Sequence, residues 1–136
     1  MTYYELRWQQ RFQNFSRSFL LLEQSAVLDS PSVIERAGMV QFFEVTFELS
    51  WKVLKDFLEE EGFTVKSPRD AIKTAFQYGY IEDAGVWLEA LKDRNLSTHT
   101  YDEATAQKIE SNIKQRYYPL LKVFYVEFTN KLLVNE

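Results

Sequence analysis

Phe42-Phe43-Glu44-Val45-Thr46-Phe47-Glu48-Leu49-Ser50-Trp51 carries two apolar stripes rather than one. Phe42, Val45 and Leu49 form the first at helical steps; Phe43, Phe47 and Trp51 form an adjacent one. An arc that broad predicts a central helix, or one that also meets a partner. Upstream, Asp29-Ser30-Pro31-Ser32 reads as a turn. Ser30 or Ser32 can cap the helix, and Pro31 is tolerated in a first turn. Downstream, Gly62 is a favoured residue just past a helix end. The helix is expected over 32–61, roughly 45 Å long.

The flanking segments read the same way. Trp8, Phe12, Phe15, Phe19, Leu22 and Ala26 alternate steps of four and three, which predicts a first helix over 3–28. Ser67-Pro68-Arg69-Asp70 is a capped start for a short third helix that stops at Gly79. A fourth helix is expected over 83–97, with Ala84, Leu88, Leu91 and Asn95 along one line. Thr100-Tyr101-Asp102-Glu103 is a capping-box pattern. It predicts a fifth helix of about thirty residues carrying Ile109, Ile113, Tyr117, Leu120, Phe124 and Phe128, bent or broken at Pro119. The four glycines and three prolines lie far apart, which argues against the frequent turns of all-β folds. The expectation is an all-α, up-and-down antiparallel bundle of four long helices plus a short one, forming one domain over 1–136.

Composition narrows the chemistry. The 136 residues are 46% apolar and 26% charged, so the chain can build a core. Aromatics at 16% are high for this size and hint at apolar surface beyond one chain's core, hence a homodimer. A net charge of −4 makes the chain a poor candidate for non-specific duplex binding, though a local phosphate site stays open. Without cysteine there are no disulfides, thiolate metal sites or Cys nucleophiles. His99 is the one histidine, which excludes multi-histidine metal sites. The N-terminus lacks a signal-peptide layout, and no apolar run approaches a membrane span, so a cytoplasmic protein with no membrane partner is expected. No phosphate loop or dinucleotide fingerprint is present, and neither cofactor nor metal is expected. Glu44 and Glu48 share a helix face, but a di-iron bundle needs Glu-x-x-His pairs; solvated carboxylates, or a polar contact between helices, fit better.

Asp93-Arg94-Asn95-Leu96-Ser97-Thr98-His99-Thr100-Tyr101 gathers polar side chains where one helix ends and the next begins. Arg94 can grip a phosphate with two parallel hydrogen bonds, and His99 can move a proton near neutral pH. Asn95, four residues before His99, can orient the imidazole while the helix continues. Arg94 and His99 are about 140° apart around an ideal helix, so they converge only if the helix ends or a second chain completes the site. From the residues alone, a helix terminus with a cap and a hydrogen-bonded histidine accounts for the same pattern.

At this stretch the chain resembles the HEPN superfamily, whose hallmark is Arg, a polar residue, three variable residues and His. Arg94-Asn95-Leu96-Ser97-Thr98-His99 fits it, and His99-Thr100-Tyr101 extends it to the Arg-x4-His-x-Tyr form of HEPN toxins paired with minimal nucleotidyltransferase antitoxins. That family was earlier labelled nucleotidyltransferase substrate-binding proteins. Phe43-Glu44-Val45-Thr46-Phe47-Glu48-Leu49-Ser50-Trp51-Lys52 resembles the family's second-helix segment. The resemblance implies an all-helical homodimer and a metal-independent endoribonuclease with Arg94, His99 and Asn95 in its site. It also implies a cognate nucleotidyltransferase that attaches AMP to Tyr101 and so blocks RNA. The competing expectation is a non-catalytic substrate-binding or regulatory subunit of a two-component nucleotidyltransferase.

Overall fold

A computed structural model describes residues 3–97 and 102–134, residues 3–5 by their backbone alone. Every regular element among them is helical. The order is α1 (Tyr3–Ala26), α2 (Val33–Glu60), α3 (Pro68–Gln77), α4 (Ala84–Ser97), α5 (Glu103–Asn112), a π-helical turn (Ile113–Tyr117) and α6 (Tyr118–Val134). The last three form one continuous helical rod.

The helix ends follow local chemistry. Ser32 caps α2 through a full capping box: its Oγ accepts from Glu35 N–H at 3.1 Å, and Glu35 accepts from Ser32 N–H at 2.9 Å. Pro31 therefore precedes the cap and lies outside the first turn. Gly62 at φ +98° and Gly79 at φ +80° close α2 and α3 in the left-handed conformation that glycine adopts without strain. In both, the next residue donates back across the helix end, Phe63 to the Leu58 carbonyl and Tyr80 to the Ala75 carbonyl. Ser67 caps α3 and Pro68 sits in its first turn. Asp102 caps α5, its carboxylate accepting from Thr105 N–H, two positions later than the box expected at Thr100; Thr100 lies outside the described residues.

Packing then sets the topology. Arg11 meets Asp56 and Ser18 meets Thr46, so α1 and α2 run antiparallel. Phe19 stacks on Tyr125 and Trp8 meets Phe128 edge-on, so α1 also runs antiparallel to α6. Contacts Phe43–Tyr117 and Phe57–Phe128 place α2 parallel to the rod. The expected stripe of α1 is buried from Trp8 to Leu22. α2 packs against α1, α3, α4 and α5 and is the central helix. Of its two stripes, Phe43 and Phe47 are buried, Phe42 and Leu49 are half-buried, and Val45 is 45% exposed.

Two expected faces shift. In α4 the buried residues are Trp87 and Ala90, while Ala84, Leu88 and Leu91 are half-buried and Asn95 is exposed. Trp87 wins because its ring fills the space between Phe47 and Phe124. In the rod the buried line runs Ile113, Tyr117, Leu121, Phe124, Phe128, with Leu121 in place of Leu120. Pro119 has no N–H to continue the α-helical ladder. The π turn, closed by Tyr118 N–H to the Ile113 carbonyl, inserts one residue just before it and advances the face by one position.

Candidate functional site

Arg94 stands in the last turn of α4 and reaches across to the middle of α2. Its Nη2 lies 2.9 Å from Glu48 Oε2, and its Nη1 donates to Asn95 Oδ1 at 3.2 Å. Glu48 is used three times over. The Trp51 indole N–H donates to Oε2 at 3.0 Å, and Lys52 Nζ lies 3.3 Å from Oε1. Arg94 Nε is buried without a hydrogen-bond partner among the described residues. A guanidinium has five N–H donors, so the pairs with Glu48 and Asn95 leave donors on both terminal nitrogens for an anion. Arg94 and Glu48 are both about a quarter exposed, so the pair is open to solvent along one side.

That side is a shallow, largely apolar groove of about 260 Å³ lined by Glu44, Val45, Glu48, Leu49 and Arg94. Glu48 is thus the polar contact between helices that the sequence allowed for. The apolar hollow of about 320 Å³ between the start of α4 and α6, floored by Trp87 and Phe124, is lined by none of these site residues.

The turn that carries Arg94 is held from its other side. Asp93 accepts from the Tyr117 hydroxyl at 2.5 Å and from Asn112 Nδ2 at 3.1 Å. Burial pushes the Tyr117 hydroxyl far above the usual tyrosine range, and its bond to Asp93 adds to that. Ser97 Oγ donates to the Arg94 carbonyl at 3.0 Å and satisfies a terminal acceptor. Beyond the turn, Arg36 of α2 binds Glu103 and Glu110 of α5, fixing how the chain re-enters the bundle.

Of the four residues singled out in the sequence, the structure brings Arg94 and Asn95 together. Asn95 is exposed and presents its carbonyl to Arg94. His99 and Tyr101, and with them the orienting role expected of Asn95, lie outside the described residues. Glu48 was read as a possible polar contact between helices but not as a partner of Arg94, and Asp93, Asn112 and Tyr117 were given no role in the site. For Glu48, the signal was its place with Glu44 on one helix face; for the others, spacing along the chain carries none.

Residues 10–130 match the family model for "nucleotidyltransferase substrate binding protein like" proteins. A protein of Haemophilus influenzae named "Probable ribonuclease HepT" is 30% identical, over 71% of this chain and 77% of its own length. A crystal structure of a Thermus thermophilus protein superposes with a TM-score of 0.73 at 32% identity, over 87% of this chain and 98% of that one.

Proposed function

The chain belongs to the HEPN-related nucleotidyltransferase substrate-binding family, and from that premise we propose that it is a metal-independent endoribonuclease of a toxin–antitoxin pair. The observation that carries the reading is the Arg94 guanidinium at the end of α4, held by Glu48 and Asn95 with donors to spare. The ribonuclease name of the Haemophilus influenzae relative supports the same substrate class.

RNA brings its own nucleophile. The ribose 2′-oxygen attacks the adjacent phosphorus, a 2′-O–P bond forms, and the P–O5′ bond breaks to leave a cyclic phosphate. His99 takes the 2′-hydroxyl proton, and His99 of a second copy gives one to the departing 5′ oxygen. Arg94 stabilises the charge that builds on the non-bridging oxygens. With one histidine per chain, this assignment needs a homodimer. A partner nucleotidyltransferase neutralises the enzyme by transferring AMP to Tyr101, which places a negative phosphate beside the RNA site.

The test is induced expression of the wild-type chain, Arg94→Ala and His99→Ala, each alone and with the partner, with growth and total RNA followed together. Wild type should arrest growth and fragment RNA, and both variants should do neither while keeping their helix content. Growth arrest with intact RNA, or toxicity retained by folded His99→Ala, would overturn the ribonuclease assignment in favour of a binding subunit.

A further inference from the structure

Asp93 and Arg94 are consecutive, yet they are anchored in opposite directions. Arg94 is tied to α2 through Glu48; Asp93 is tied to the rod through Asn112 and Tyr117. The last turn of α4 is therefore clamped between two elements. The rod's half of the clamp comes from Tyr117 in the π turn and Asn112 just before it. Tyr117 is the last residue of that turn, 1% exposed, with its ring stacked on Phe43 at 5.3 Å and 17°.

We propose that Tyr117, with Asn112, is a positioning residue for Arg94: its hydroxyl holds Asp93 and thereby fixes the turn from which Arg94 meets RNA phosphate. The inference rests on the ribonuclease reading for its catalytic consequence, though not for its geometry. The competing explanation is a buried hydroxyl that needs an acceptor and finds one in Asp93. The two differ in consequence. A hydroxyl that only satisfies itself can be removed with a change in stability alone; a positioning hydroxyl also changes how Arg94 is held.

Tyr117→Phe keeps the ring and its stack on Phe43 and removes one oxygen. In the full chain it should lower kcat on RNA about tenfold with KM within about twofold, since misplacement of a transition-state contact costs rate more than binding. The buried Arg94 Nε–H gives a second readout by ¹⁵N NMR that does not depend on activity. Its signal should shift or broaden in Tyr117→Phe, while the Trp87 indole signal stays in place. Asn112→Ala removes the weaker support from a half-buried position and should move both readouts in the same direction by less, and it decides the matter if Tyr117→Phe does not fold. Wild-type kcat in the folded variants, or lower kcat with an unmoved Arg94 signal, overturns the proposal. If the wild-type chain cleaves no RNA but the Arg94 signal moves as expected, the ribonuclease reading fails and the positioning role stands.

Discussion

Glu48 Oε2 lies 2.9 Å from Arg94 Nη2, so the middle of α2 is joined to the last turn of α4 across a groove open to solvent. The geometry separates two contributions. As a partly exposed ion pair, the contact adds under about 1 kcal/mol to stability. If Arg94 binds phosphate as proposed, the hold on its guanidinium matters far more.

Glu48→Ala should therefore melt within a few degrees of wild type yet lose about tenfold or more of its RNA cleavage. Thermal unfolding and cleavage rates on the same preparation check both halves. Cleavage at the wild-type rate would take Glu48 out of the site.

A homodimer is the second expectation. Val45 is 45% exposed on the central helix and, with Leu49, lines the groove that contains Arg94. Covering this face with a second copy would bury apolar surface and bring two Arg94–His99 motifs together. Sedimentation at micromolar concentration should show about twice the 16.2 kDa chain mass. Val45→Glu should shift the population towards monomer and reduce cleavage in step. A wild-type chain that sediments only as a monomer would refute the shared site.

Acid should loosen the docking of α5. Glu110 is desolvated by burial, which alone would raise its pKa, but Arg36 and Lys114 outweigh this and hold it below the ordinary glutamate value. Glu23 is held low by the Tyr118 hydroxyl and Lys122. A carboxylate with a depressed folded pKa contributes stability above its unfolded value, near 4.5, and loses that contribution as pH falls through the folded value. Melting temperature should thus drop below about pH 4.5. Arg36→Ala should melt lower at neutral pH and show a shallower acid limb. Tyr118 works in the opposite sense: burial and Glu23 raise its pKa from 10.0 to about 12, so its contribution is present below pH 10 and fades as pH rises through 12. A flat profile from pH 7 to 3 would contradict the acid assignment.

The helices were legible because their signals are local. The stripe from Trp8 to Leu22, the Ser32 and Ser67 caps and the Gly62 and Gly79 stops each act within a few residues. What escaped depends on distant partners. Trp87 takes the buried face of α4 because Phe47 and Phe124 leave room for it. Pro119 marked a disturbance in the last helix, but not that an inserted residue would carry the face from Leu120 to Leu121. Asp56, 1% exposed between Arg7 and Arg11, looks like any surface charge until α1 and α2 are paired. In the site, Arg94 and Asn95 were readable as chemistry, whereas Glu48 lies 46 positions earlier and is brought in only by packing.

Covalent control at Tyr101 is the last expectation. Tyr101 immediately precedes Asp102, whose carboxylate accepts from Thr105 Oγ1 at 2.7 Å and from Thr105 N–H at 3.3 Å. These bonds hold the Asp102 carboxyl below the usual aspartate range, so it is ionised at neutral pH. A helix N-terminus can hold a phosphate through its free N–H groups, but here the cap already answers part of that demand. In the proposed mechanism an AMP phosphate on Tyr101 competes with RNA for the Arg94 guanidinium, which would neutralise the chain without any change of fold. Incubation with the partner nucleotidyltransferase, ATP and magnesium should add AMP-sized masses to the peptide containing Tyr101 and none in Tyr101→Phe. That variant should stay toxic and escape neutralisation. Undiminished neutralisation of Tyr101→Phe would mean that the partner silences the chain by binding alone.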